Sequence, residues 1–185
     1  MREYVFGYGS LVAGEFVPSR ERGSEGFVTD LHGAGRGWGV AMDNRIDLPG
    51  YKRYLDPAGR RPAVSVCFLD IVDSPQTRVN GICLPVTGAE LAELDRRERN
   101  YDRIEVSDRF SDVDDARVWT YRGSAEGRAR FDVAVREGTA VIDAGYLDAV
   151  SVGFRALGER EWEACAPSLD PGGLPVRELV RRELP

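Results

Sequence analysis

Histidine is nearly absent from this chain, because His32 is the only one among 185 residues. Its scarcity excludes any site that needs two histidines, such as an H-E-x-x-H zinc site. Cysteine is also scarce: Cys67, Cys83 and Cys165 are widely spaced and form no C-x-x-C pair. An odd number of separated cysteines predicts small buried thiols rather than a disulfide framework.

Long apolar runs and basic blocks are missing too. No stretch approaches the roughly 20 apolar residues of a membrane span, and residues 1–4 lack the apolar region of a signal peptide. The net charge of −6 argues against nucleic acid as a partner. With 42% hydrophobic and 30% charged residues, the composition is typical of one globular domain. We therefore expect a cytoplasmic protein that binds neither nucleic acid nor membrane.

The start of the chain combines a strand pattern with a glycine turn. The β-favouring residues 4–6 predict a buried first strand, and they are followed by Gly7-Tyr8-Gly9-Ser10-Leu11. Such a turn can point successive backbone N–H groups at one spot, which suits a carboxylate, a phosphate or a developing oxyanion. An ordinary strand-to-loop turn is the alternative interpretation.

Common nucleotide and nucleophile motifs fit this turn poorly. The dinucleotide fingerprint G-x-G-x-x-G needs a glycine where this chain has Val12, and no G-x-x-x-x-G-K-[ST] occurs. A Ser10–His32–Asp triad can be drawn on paper, but nothing in the sequence brings His32 to Ser10. A nucleotide site is thus disfavoured.

The middle of the chain is typical of a sheet. Residues 31–42 are rich in alternating glycine and predict an extended segment. Strands are also predicted for residues 63–72, 78–86, 103–109 and 116–122. The polar residues 73–77 predict a hairpin connection between the first two of these.

The remaining segments complete a mixed domain. Residues 12–30 predict a loop over the first turn, and residues 43–62 a long surface excursion of the kind that forms lids or insertions. Residues 140–158 predict a helix, and residues 159–185 a helical tail packed on the domain formed by residues 1–158. The pattern predicts an α+β fold, a small mixed β-barrel with flanking helices.

One helix pattern carries a carboxylate where an apolar residue is expected. Thr87 and Glu90 form a capping box at its start. Leu91 and Leu94 mark the stripe that faces the core, and the next position on that stripe is Glu98. An inward glutamate is costly unless it is paired or protonated.

Two interpretations of Glu98 remain open from the residues alone. It can serve as a general acid/base in a site, or it can pair with Arg97 or Arg99 near a solvated helix end. Glu105 is a rival carboxylate, but it lies on a predicted strand of alternating polarity, where we expect it to be exposed.

Two separated motifs resemble a known family. They are Tyr8-Gly9-Ser10-Leu11 and Leu94-Asp95-Arg96-Arg97-Glu98, the second followed by Tyr101 and Val106. Their order resembles the gamma-glutamylcyclotransferase family, which includes the AIG2-like proteins, over residues 4–158. Residues 80–83, Asn-Gly-Ile-Cys, resemble the family's strand before the acidic helix.

The resemblance implies a fold and a reaction. The fold is a small mixed barrel with flanking helices, and the reaction cyclises a gamma-glutamyl group to 5-oxoproline with release of its amine, as a lyase or transferase. Glu98 matches the catalytic acid/base, and Tyr146 matches a substrate-contacting tyrosine, with a half-buried helix aromatic as the alternative. The implied pocket for the glutamyl head is lined by Tyr8, Gly9, Ser10 and Leu11. The partner is a small gamma-glutamyl substrate, and the reaction needs no metal or organic cofactor.

The resemblance leaves several choices open. Many family members have Tyr-Gly-Ser-Asn-Leu where this chain passes directly to Leu11, so the subgroup is not fixed. The leaving amine can be an amino acid, the remainder of glutathione, a protein-derived gamma-glutamylamine or a biosynthetic intermediate. A non-catalytic small-molecule binding protein or an interaction protein of the same fold is the alternative function.

Overall fold

The structure is a computed structural model that describes residues 2–14, 26–111, 113 and 115–185. Its strands are β1 (Arg2–Gly7), β2 (Phe27–Asp43), β3 (Lys52–Leu55), β4 (Ser65–Pro85), β5 (Tyr101–Glu105), β6 (Ala116–Gly123), β7 (Ala140–Asp143), β8 (Val176–Arg177) and β9 (Val180–Glu183). Its α-helices are α1 (Gly88–Arg97), α2 (Ala125–Arg136), α3 (Ala144–Leu157) and α4 (Glu159–Cys165). A short 3₁₀ helix, Ser10–Ala13, follows β1.

A seven-stranded mixed sheet organises the molecule. Its strand order is β5-β6-β1-β4-β7-β8, with β2 along the other edge of β4. Neighbouring pairs are antiparallel for β1 with β4 and parallel for β1 with β6. Strands β3 and β9 form a separate two-stranded ribbon. The expected α+β class is confirmed, and the described pairings form an open path rather than a closed ring.

The predicted hairpin at residues 73–77 is wrong, because β4 continues through that segment. Its partner β2 pairs His32 with Arg78 and Ala34 with Asp73, and the shift of register lies between these two pairs. The extra polar residues of β4 thus form a bulge. Thr77 Oγ1 fastens that bulge by donating to the Ala34 carbonyl at 2.7 Å. A long antiparallel partner outweighs the local turn preference.

The helix predicted for residues 140–158 is wrong in its first turn. Ala140–Asp143 form the buried strand β7, which runs parallel to β4. Helix α3 begins at Ala144 because the Asp143 carboxylate accepts hydrogen bonds from the N–H groups of Gly145 and Tyr146. An apolar four-residue strand directly before a cap looks like one more helical turn in the sequence.

The predicted helical tail is correct only as far as residue 169. After α4 a short 3₁₀ helix ends at Leu169, and the chain then enters strands β8 and β9. Strand β9 pairs antiparallel with β3, which lies within the 43–62 excursion. This pairing explains why the last residues are extended.

The remaining predicted segments agree with the structure wholly or in part. Residues 31–42 lie within β2, and residues 116–122 lie within β6. The 103–109 prediction holds only to Glu105, since Ser107–Arg109 form a 3₁₀ turn. All three cysteines are buried, and no disulfide joins any two of them. Of the predicted 12–30 loop, residues 15–25 lie outside the described residues, and residues 27–30 belong to β2.

The 43–62 excursion, which its composition predicts to lie on the surface, contains several buried residues. Tyr51 and Tyr54 are buried, and Asn44 is fully buried between the chain segments that flank β3. The Asn44 side chain accepts from Tyr54 N at 2.8 Å and donates to Tyr54 O at 2.9 Å. These bonds fix β3 against the sheet. Within the described residues, no helix combines the length and apolar character needed to cross a membrane.

Candidate active site

A cavity of about 240 Å³ lies where the turn after β1, the end of α1, strand β3 and the start of α3 meet. We call it the main cavity. A smaller space of about 40 Å³, here called the inner recess, adjoins it against the turn. Both spaces are lined by Ser10, Glu98, Tyr101 and Tyr146. The two motifs that are far apart in the sequence therefore face one site.

The turn after β1 presents its backbone to the inner recess. Tyr8, Gly9, Ser10 and Leu11 all line it. The first helical hydrogen bond runs from the Val12 N–H to the Gly9 carbonyl at 3.0 Å, so the preceding N–H groups take no part in the helix's own bonding. A Cβ on Gly9 would lie 3.1 Å from the Tyr146 hydroxyl, which makes glycine the residue that fits here.

Helix α1 places Glu98 at this site. Its start has the predicted capping box, with Thr87 and Glu90 bonded reciprocally, and Leu91 and Leu94 are buried beneath it. Glu98 is the C-terminal cap, and its N–H donates to the Leu94 carbonyl at 2.8 Å. Its side chain is 17% exposed and lines both the main cavity and the inner recess. The inward position predicted from the helical period is confirmed.

Arg97 connects the two motifs. Its Nε lies 3.3 Å from Glu98 Oε1, and its Nη2 lies 3.5 Å from Ser10 Oγ. The Glu98–Arg97 pair that the sequence offered as an alternative is thus present within the cavity rather than on a solvated face. Arg99 instead donates to the carbonyls of Arg96 and Pro49.

Tyrosines line the inner recess with neutral hydroxyls. The Tyr8 hydroxyl donates to the Tyr121 carbonyl at 2.6 Å, and the Tyr101 hydroxyl donates to the Leu69 carbonyl at 2.7 Å. The Tyr146 hydroxyl accepts from Leu69 N at 3.4 Å. Burial raises the pKa of Tyr8, Tyr101 and Tyr146, so these groups stay protonated at neutral pH. They line the recess beside Glu98 without adding charge.

The sequence analysis missed Lys52, which lies on β3 and lines the main cavity. Its Nζ lies 4.5 Å from the Phe68 ring centroid and 5.3 Å from that of Tyr51. Among the described residues, no carboxylate forms a salt bridge with it. Burial lowers its pKa to about 8, partly opposed by the charge of Glu98. One signal could have found it: lysine and arginine together number 25, and Lys52 is the only lysine.

Two other candidates lie away from this site. His32 is exposed on β2 and lines a separate depression, whereas Ser10 faces the main cavity, so the structure does not bring the two together. Glu105 is exposed, as expected, and its carboxylate lies 3.5 Å from Arg117 Nε. In the described part of the chain, no group of three or more His, Cys, Asp or Glu side chains is arranged to hold a metal ion.

Comparisons with known proteins find a matching family model and similar solved structures. A sequence model of the family described as "Gamma-glutamyl cyclotransferase, AIG2-like" matches residues 5–138. No curated protein sequence matches the chain. A solved structure described as gamma-glutamyl cyclotransferase is similar, with a TM-score of 0.55 and 15% identity over 90% of this chain and 87% of that chain. This likeness shows a shared fold.

Two further solved structures resemble the chain more distantly. An uncharacterized protein from Homo sapiens has a TM-score of 0.48 and 17% identity, covering 88% of this chain and 85% of that one. A gamma-glutamyl cyclotransferase from yeast, described as specific to glutathione, has a TM-score of 0.47 and 13% identity, covering 69% and 71%.

Proposed function

Because this chain belongs to the gamma-glutamyl cyclotransferase, AIG2-like family, we propose that it cyclises a gamma-glutamyl group to 5-oxoproline and releases the attached amine. One observation carries the proposal: the Glu98 carboxylate and the turn of residues 8–11 line the same inner recess. The cyclisation needs a proton acceptor and, beside it, groups that bind the substrate in a folded-back conformation.

Glu98 is the proposed general acid/base. The substrate's alpha-amine has a reference pKa of roughly 8, so at neutral pH it is mostly protonated and must lose a proton before it attacks. Glu98 accepts that proton, the amine nitrogen bonds to the gamma-carbonyl carbon, and a tetrahedral oxyanion with a positively charged ring nitrogen forms. Glu98 returns the proton to the departing nitrogen, whose bond to the carbonyl carbon breaks as the oxyanion becomes a carbonyl again. The second proton of the ring nitrogen then passes through Glu98 to the released amine, so the products are 5-oxoproline and a protonated amine.

The turn is the proposed holder of the glutamyl head. N–H groups of Gly9, Ser10 and Leu11 precede the first helical hydrogen bond, which leaves them as donors for a carboxylate or the developing oxyanion. A five-membered ring closes only from a folded-back conformer, and fixing that conformer is itself a large contribution to rate. Tyr146, close to Gly9, is the proposed limit to the length of that head.

A panel of gamma-glutamyl compounds, scored for 5-oxoproline by mass spectrometry, tests the proposal. The wild type should form product, and Glu98→Gln should lower kcat by roughly 10²–10⁴-fold while the melting temperature changes little. Glu105→Gln is the matched control, because that carboxylate is exposed and outside the site. Its kcat should equal that of the wild type.

Two results would contradict the proposal. An unchanged rate in Glu98→Gln removes Glu98 from the reaction. If no compound yields 5-oxoproline while several raise the melting temperature of the wild type, the chain is a binding protein of this fold rather than an enzyme.

A further inference from the structure

The main cavity opens outward into a groove of about 740 Å³. The groove shares Tyr51, Lys52, Arg97 and Arg181 with the main cavity. Glu98 and Ser10 line the main cavity next to the groove, so a substrate whose glutamyl head lies against them has a path for its leaving amine through the main cavity. That path runs past Lys52 into the groove.

The groove is rich in positive charge, although the chain as a whole carries a net charge of −6. Its cationic side chains are Lys52, Arg96, Arg97, Arg99 and Arg181. They outnumber its carboxylates, Glu93 and Glu183. A recess lined mainly by charges of one sign concentrates the electrostatic field and attracts groups of the opposite charge.

Much of this charge is not neutralised by the protein itself. Lys52 faces aromatic rings, and Arg99 donates to neutral carbonyls at 3.0 and 3.2 Å. Arg97 and Arg181 are the exceptions, since Arg97 Nε lies 3.3 Å from Glu98 Oε1 and Arg181 Nη2 lies 2.6 Å from Glu183 Oε1. Lys52 also lines the main cavity, whereas Arg99 lines only the groove. Both cations lie near the Tyr51 ring, with Lys52 Nζ 5.3 Å and Arg99 Cζ 5.7 Å from its centroid. Cationic charge therefore extends from the main cavity into the groove.

On these grounds, and resting on the proposed function, we propose that the groove is a subsite for a leaving amine that carries two or more negative charges, such as the amine of an acidic amino acid or acidic peptide. The two anionic groups share the field of Lys52, Arg96 and Arg99, so each of these cations stabilises the second negative charge as well as the first. The groove therefore selects substrates by the charge of the part that leaves rather than by the glutamyl head.

A matched pair of substrates tests this specificity. Gamma-glutamylglutamate and gamma-glutamylglutamine have nearly the same shape and differ by one negative charge on the leaving amino acid. For the wild type we expect kcat/KM to be about tenfold higher for the glutamate compound, which is the factor for one charge-assisted contact in a partly buried site. The ratio should fall as salt is raised, because the outer groove is open to solvent.

Charge removal in the groove supplies the variants. In Lys52→Met and in Arg99→Gln the preference should shrink several-fold, and in the double variant the ratio should approach one. Arg60→Gln is the control. It removes a cation from the same 43–62 excursion, but the Arg60 side chain is 81% exposed and does not line the groove. It should keep the wild-type ratio. Melting temperatures establish that each variant is folded.

The outcomes separate this inference from the proposed reaction. Equal kcat/KM for the two substrates in the wild type overturns the subsite, as does a preference that survives in the double variant. If neither substrate yields 5-oxoproline, the reaction itself fails. The subsite is then decided by the calorimetric affinities of Glu98→Gln for the two compounds. Tighter binding of the glutamate compound that is lost when Lys52→Met and Arg99→Gln are both added supports the subsite, and equal affinities overturn it.

Discussion

Lys52 and Glu98 are opposite charges in one cavity, and they are set there by different physical routes. Glu98 follows from a helical period that starts at a capping box, so the sequence predicts it. Lys52 lies on a four-residue strand in a charged, proline-bearing excursion, where no periodic pattern exists. Its place in the cavity depends on the pairing of β3 with β9, more than a hundred residues later.

The charge preference of the groove should depend on pH through Lys52. Burial lowers the pKa of Lys52 to about 8, and the groups around it are Glu98, Arg181, Arg97, Glu183 and Asp143. Only the protonated form attracts an anion. The ratio of kcat/KM for gamma-glutamylglutamate over gamma-glutamylglutamine should therefore be constant below about pH 8 and decline above it. Both substrates share the reacting amine, so its own titration cancels in the ratio.

Lys52→Arg is the informative control for this pH profile. An arginine keeps its charge at alkaline pH, so its ratio should hold where the wild-type ratio declines. The same titration acts on stability with the opposite sign. Because the unfolded lysine holds its proton up to a pKa of roughly 10.4, the free energy of unfolding of the wild type, relative to Lys52→Met, should rise between pH 8 and pH 10. A flat difference would place Lys52 in water.

At the scale of elements, the turn after β1 is held by a residue of β2. Arg36 Nη1 donates to the carbonyls of Tyr8 and Asn80, each at 3.0 Å, and its Nε donates to Ser168 Oγ at 2.7 Å. Its guanidinium also lies 4.7 Å from the Phe154 ring centroid. One side chain thereby joins the turn, the sheet and the segment after α4.

Replacing Arg36 should loosen the turn and weaken substrate binding. Arg36→Met leaves partly buried carbonyl acceptors unsatisfied, and we expect a loss of about 1–3 kcal/mol in the free energy of unfolding. We also expect KM to rise more than kcat falls, because the turn is the proposed binding site of the glutamyl head. Chemical denaturation and 5-oxoproline kinetics measure the two effects. Arg160→Met, on an 82% exposed side chain of α4, is the control and should change neither.

The sequence predicts those elements whose stability is local and misses those that depend on distant partners. Helix α1 has its own cap and apolar stripe, so its start and its buried face are predicted correctly. Strand β4 passes through residues 73–77 because β2 pairs on both sides of them. Likewise, Ala140–Asp143 become a strand because β4 lies beside them. The residues of these two segments alone do not indicate which strands they pair with.

At the scale of the whole molecule, the site includes residues outside the segment that matches the family model. The family match ends at residue 138, yet Asp143, Tyr146, Leu179 and Arg181 all line the main cavity. The last strand closes that side, and the Leu184 N–H donates to the Tyr51 carbonyl at 2.7 Å. The inner recess is thus formed within the family match together with Tyr146, whereas the groove depends on the tail. On the proposed function, this division allows one reaction centre to be combined with different subsites for the leaving amine.

Removing residues 179–185 should therefore impair substrate use more than folding. Strand β9 is exposed at every position, so its loss removes little apolar burial, and we expect only a small fall in melting temperature. The main cavity, however, loses Leu179 and Arg181, and β3 loses its hydrogen-bonding partner. We expect kcat/KM for gamma-glutamylglutamate to fall about tenfold or more, with faster hydrogen exchange across Lys52–Leu55. Unchanged kinetics with faster exchange would mean that the ribbon is peripheral to the site, whereas a complete loss of folding would make the tail part of the core.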